Sequence, residues 1–91
     1  MKHLIEQTTL SLLNVGDLVY LNKWHAENPD IDGILYLYKG TCIGNLTNKE
    51  YYVLEDTRGR NLLDINKECN ASLDVWKINL REIKKAEQKL K

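Results

Sequence analysis

Asn28, Asp30 and Asp32 place side-chain oxygens at alternate positions and are followed at once by Gly33, the opening of an EF-hand calcium loop. The chemistry would be chelation of a hard cation. The pattern breaks at its last position, where the bidentate glutamate is replaced by Lys39, and the residues around that lysine read as strand rather than as an exiting helix. No metal site is expected. What remains is an acidic loop, Glu27, Asp30 and Asp32, beside Trp24, which offers a docking face to a protein partner with a basic surface.

Nucleophilic chemistry finds no constellation. His3 and His25 are the only histidines and Ser11 and Ser72 the only serines, with no spacing that joins either class to an orienting carboxylate. The glycines are scattered singly at turns, so no phosphate-cradling loop exists, and no Cys/His spacing suits zinc. Cys42 and Cys69 stand too far apart in sequence to chelate and read as small core or near-core residues, kept reduced. The expectation is a non-enzyme with no cofactor.

Two further residue sets can recognise a partner. Tyr20, Trp24, Tyr36, Tyr38, Tyr51 and Tyr52 fall on expected strands or strand ends, and the two-residue period forces neighbours such as Tyr51 and Tyr52 to opposite faces. Trp24, Tyr36, Tyr38 and Tyr51 are therefore taken with the acidic loop as the partner-binding set. The second set is Lys77, Arg81, Lys85 and Lys89, one cationic stripe if the segment is helical, which suits nucleic-acid phosphates as an alternative. Charge divides the same way: residues 15–70 carry nine acidic and six basic side chains, while residues 71–91 carry three acidic and six basic ones. An acidic body carries a basic tail.

The elements that must position these residues follow from turn signals and periodicity. Residues 1–14 show no clean period and stay unassigned. After Gly16-Asp17, Leu18–Leu21 reads as a strand ending near Trp24, Asn28-Pro29-Asp30 breaks regular structure, and a second strand runs from Ile34 to Ile43 with a bend or bulge at Gly40. Unbroken apolar character in Leu18–Leu21 and Ile34–Tyr38 predicts strands covered on both faces. Tyr51–Asn66 predicts a hairpin whose three-residue turn closes on a positive φ at Gly59. Ser72 is a suitable N-cap for a helix to about Leu90, with Leu73, Trp76, Leu80 and Ile83 on its apolar side.

At 91 residues the chain is expected to form one domain: a barrel over residues 15–70 with the C-terminal helix, residues 71–91, packed on it. No apolar run is long enough to span a bilayer and residues 1–14 lack signal-peptide features, so the expected compartment is the cytoplasm. Abundant Lys, Asn, Ile and Leu with one Pro and no Phe is the bias of low-GC coding and points to a phage or mobile-element protein acting on a host factor.

The order Val15-Gly16-Asp17-Leu18-Val19-Tyr20, a polar loop, a bent strand, then Tyr51-Tyr52-Val53-Leu54-Glu55-Asp56 and Gly59-Arg60 resembles SH3-like small β-barrels of the KOW, Tudor and integrase C-terminal types. The resemblance covers residues 15–66. It implies a mainly β fold of about five strands capped by a C-terminal helix, and a binding role toward protein or nucleic acid. The Ala-Leu-Tyr-Asp-Tyr start of peptide-binding SH3 domains is absent. A small homo-oligomer paired through barrel edges is the remaining alternative.

Overall fold

The β-branched and aromatic residues of Tyr51–Leu54 and the alternation around Ile65 favour extended backbone, and both segments pair as a hairpin. In the computed structural model, which describes residues 5–28 and 33–79, the strands are β1 (Ile5–Thr9), β2 (Leu18–Tyr20), β3 (Leu35–Ile43), β4 (Glu50–Asp56), β5 (Leu62–Asn66) and β6 (Asp74–Ile78). Two short helices, α1 (Lys23–Glu27) and α2 (Lys67–Asn70), and a 3-10 turn at Leu10–Leu12 complete the described elements. The strands form one antiparallel sheet in the order β1-β6-β2-β3-β4-β5.

Two expectations are corrected by this sheet. It is open rather than a closed barrel, because β1 takes the side of β6 away from β2 and leaves β1 and β5 as edges. Residues 5–9, which show no clean period in the sequence, thus form a strand. The helix expected from Ser72 is replaced over Asp74–Ile78 by β6. Val75, Trp76 and Ile78 are strand formers, and β1 and β2 supply ladder partners on both sides, Thr8 and Ile5 opposite Val75 and Ile78, Tyr20 opposite Trp76. The rest of that expected helix, with Arg81, Lys85 and Lys89, lies outside the described residues, as do Asp30 and Asp32.

Strand alternation sorts the apolar residues onto two faces, as the unbroken runs predict. On one face Val19, Tyr38, Tyr52, Leu54 and Val75 meet Leu10 and Leu13 in a single buried cluster, with Leu21, Tyr36 and Ile65 packed against it. Leu10 arrives there through the 3-10 turn, whose Leu10 and Ser11 N–H groups donate to the Leu73 and Ala71 carbonyls. On the other face Tyr20 is buried, and α1 lies over β2 and β6 with Ala26 inward. Both faces of β2 are therefore covered.

The bend expected in β3 is a bulge: Tyr38 pairs with Leu54 and Gly40 with Val53, leaving Lys39 as the extra residue and Gly40 at φ 106°. The two hairpin loops repeat one design. At β3–β4, Gly44 N–H donates to Lys49 O and Asn48 N–H to Gly44 O; at β4–β5, Asp56 N–H donates to Asn61 O and Arg60 N–H to Asp56 O. In each the fourth loop residue takes a φ of 56°, Asn48 in one and Arg60 in the other. The loop is thus one residue longer than expected and the left-handed position falls on Arg60, not Gly59. Asparagine tolerates that region; arginine is strained there. Arg60→Gly is expected to stabilise by about 0.5–1 kcal/mol while Gly59→Ala has a smaller effect, read as shifts of the urea midpoint. The reverse ranking would refute this turn assignment.

Candidate functional site

An asparagine before a helix satisfies its first free N–H, and here two asparagines bracket one tryptophan. Asn22 Oδ1 accepts from Trp24 N–H at 2.8 Å, and the Trp24 carbonyl accepts from Asn28 N–H and Asn28 Nδ2, both at 3.0 Å. Ala26, buried on the sheet, anchors the same short helix. Trp24 is therefore held by its backbone while its indole stays 50% exposed, edge-on to His25 at 5.2 Å between ring centres. Trp24 was expected at a strand end; it stands on α1 instead.

At Gly33 the described chain resumes in a narrow space beside α1. A Cβ on Gly33 would lie 3.1 Å from His25 Cβ and 3.2 Å from Tyr20 Cε1, so glycine lets the backbone close over α1. Glu27 is exposed at the end of α1 and forms an i,i+4 ion pair with Lys23 at 3.8 Å. In a site this open the pair is worth little and leaves the carboxylate available to a second cation.

The other members of the partner-binding set separate. Tyr38 is only 5% exposed and Tyr36 packs against the buried cluster, so both belong to the core and not to a docking face. The two-residue period puts them on one face, and that face is the inward one. Tyr51 is half-buried on the opposite face, its hydroxyl 2.8 Å from Thr47 Oγ1. It pairs with Cys42, whereas α1 follows the end of β2 that pairs with Leu35, roughly 20 Å away along β3. Trp24 and Tyr51 do not share a site. Lys77 leaves the cationic stripe as well: it sits half-buried in β6, 4.0 Å from Glu6 across the ladder.

The cysteines correct another expectation. Cys42 on β3 and Cys69 on α2 are both free and exposed, because Cys42 shares the outward face with Tyr51 and α2 buries none of its residues. Among the described residues no group of His, Cys, Asp and Glu is placed to hold a metal ion, and no helix is long and apolar enough to cross a membrane.

One feature escapes sequence reasoning. The β4–β5 register brings Lys67, just after β5, to Glu50 at the start of β4, 3.1 Å apart, beside a shallow concavity of about 480 Å³ also lined by Ile43, Asn48, Lys49 and Glu68. Only the hairpin register, fixed by the length of its turn, could have revealed that pair. The hydrogen bond that the Lys67 ammonium donates to Glu50 Oε2 holds it above its ordinary value of 10.5. Burial raises the Tyr38 phenol above 10.0, with Tyr52 adding to the rise and Lys67 opposing it.

For both groups the folded state binds its proton more tightly than the unfolded state does. Their contribution is whole below the unfolded values and is lost as pH rises through the folded ones. Urea midpoints are therefore expected to hold steady to about pH 9.5 and then fall, with Tyr38→Phe flattening part of the decline. An equal decline in that variant would exclude the phenol.

Compared with known proteins, the chain matches no protein-family model, no curated protein and no solved structure.

Proposed function

We propose that this protein is a non-enzymatic binding module that docks a protein partner of basic surface on the α1 face, through Trp24 with Glu27 and the acidic loop residues Asp30 and Asp32. The observation that carries the reading is Trp24 itself: a half-exposed indole on a helix capped at both ends. A large aromatic held in place loses little entropy on contact, and lysine or arginine of a partner gains from both its π face and the exposed carboxylate of Glu27 on the same helix. A phage or mobile-element origin, to which the composition points, makes a host factor the natural partner.

We infer that the SH3-like resemblance extends to the strand order. Five consecutive strands, β2 to β6, with the last lying beside the first, have the order from which a five-strand barrel is closed. That order supports a common ancestry of design; the open edges distinguish this chain from a closed barrel.

The test is affinity capture with mass-spectrometric identification, with and without nuclease, followed by binding of the purified partner. Trp24→Ala is expected to weaken binding roughly 30-fold or more, as for a central aromatic anchor. A combined Glu27→Lys, Asp30→Lys, Asp32→Lys variant is expected to slow association. Capture that survives both changes but disappears with nuclease would replace this reading with a nucleic-acid one.

A further inference from the structure

Strand β5 ends the sheet, and its outer backbone groups have no partner among the described residues. Asp56 and Asn61 form a hydrogen-bonded pair at the turn, so the alternation of an antiparallel ladder directs Leu63 and Ile65 toward β4 and Leu62 and Asp64 outward. Among the described elements β5 has its main contacts with β4 and α2, which leaves that edge uncovered. Side chains here are exposed too: Leu62 is 64% exposed, and Leu63 and Asp64 are also classed with the surface. Proline, lysine and a bulge, the usual guards of an edge, are all missing from Leu62–Asn66.

We propose that β5 is a strand-addition site for an extended, basic segment of a partner protein. Charge selects this occupant over a second copy of the chain. The central residue of the edge is Asp64, and the other sheet edge, β1, carries Glu6. Pairing two β5 edges over their full length sets Asp64 against its own counterpart, and β1 offers Asp64 no cation, since its outward backbone groups belong to Ile5, Gln7 and Thr9. The symmetric registers that avoid this, Leu63 against Leu63 or Ile65 against Ile65, place each Asp64 opposite Leu62 or Asn66 and join only three residues per copy, far below the area a stable dimer needs.

A foreign strand paired antiparallel fits if it offers an apolar residue opposite Ile65, Lys or Arg opposite Asp64, and apolar residues opposite Leu63 and Leu62. The side chains opposite Ile65 and Leu63 extend the buried face, and the cation meets Asp64 on the other face. Arg58 and Arg60, in the turn just before β5, repel a second cation beyond Leu62 and so confine the basic residue to the position opposite Asp64. This surface is distinct from the α1 face and stands or falls without it.

The probe is a capped peptide with Val-Lys-Val-Val at its centre, titrated into the full chain and followed by heteronuclear NMR. Amide shifts are expected at residues 62–66, with roughly fivefold weaker binding when Glu replaces the peptide Lys. Asp64→Lys is expected to reverse that preference. Asp64→Pro removes an outward N–H without breaking the β4 ladder, and is expected to abolish binding while circular dichroism shows the fold retained. Trp24→Ala is expected to bind this peptide normally, which separates failure of this site from failure of the α1 face. No peptide binding, shifts centred elsewhere, no charge reversal, or concentration-dependent dimerisation through β5 in sedimentation would each overturn the proposal.

Discussion

Leu54→Ala is expected to cost about 2–5 kcal/mol, enough to unfold a large part of the population of so small a domain. Leu54 has no exposed surface and stands in the ladder between Tyr38 of β3 and Leu63 of β5, so the methyl groups removed leave a hole that three strands would have to bend to close. Its neighbour on the same face, Tyr52, gives the control. The ring is 2% exposed and its hydroxyl is buried without a hydrogen-bond partner among the described residues. Tyr52→Phe keeps the ring and removes the unsatisfied group, so the variant is expected to be as stable as the parent or about 1 kcal/mol more so. Urea unfolding of both variants is the measurement. A large loss in Tyr52→Phe would mean that the hydroxyl is bonded in solution.

The second large effect is at the β3–β4 turn. A Cβ added at Gly44 would fall 2.8 Å from Thr47 Oγ1 and 2.9 Å from Tyr51 Cε2, and those two side chains are themselves joined by the 2.8 Å hydrogen bond. The ring lies over the glycine, and neither atom can give way without breaking that bond. Gly44→Ala is expected to cost about 1–3 kcal/mol by overpacking. Tyr51→Ala in the same background should recover part of it, because the new methyl group then occupies the space the ring has left. A Gly44→Ala cost below about 0.5 kcal/mol, or full additivity of the two changes, would show that the ring does not sit on this turn.

Leu54 and Gly44 belong to the framework, and their variants should change the fraction folded without changing what the folded molecules bind. Trp24 and Asp64 project from that framework and should do the reverse.

The amino-acid order by itself determined the local features. The hairpin between residues 50 and 66, the bulge near Gly40, and the two-sided covering of Leu18–Leu21 all follow from short-range signals: turn residues, β-branched and aromatic runs, and period-two alternation. Of the acidic residues expected beside Trp24, Glu27 is exposed at the end of α1, while the helix that carries both was not legible locally.

Tertiary structure decided what depends on partners distant in sequence. Val75–Ile78 is a strand because β1 and β2 flank it, although the spacing of its apolar residues suits a helix equally well. Tyr36 and Tyr38 are core residues because the inward face of β3 happens to be theirs, and alternation alone cannot say which face is inward. The left-handed turn position fell on Arg60 rather than on the neighbouring glycine because ladder pairing at Asp56 and Asn61 fixed the loop length. The sheet stays open because β1, drawn from residues without a clear period, occupies the side of β6 away from β2, and a long-range choice between two edges leaves no mark on local sequence.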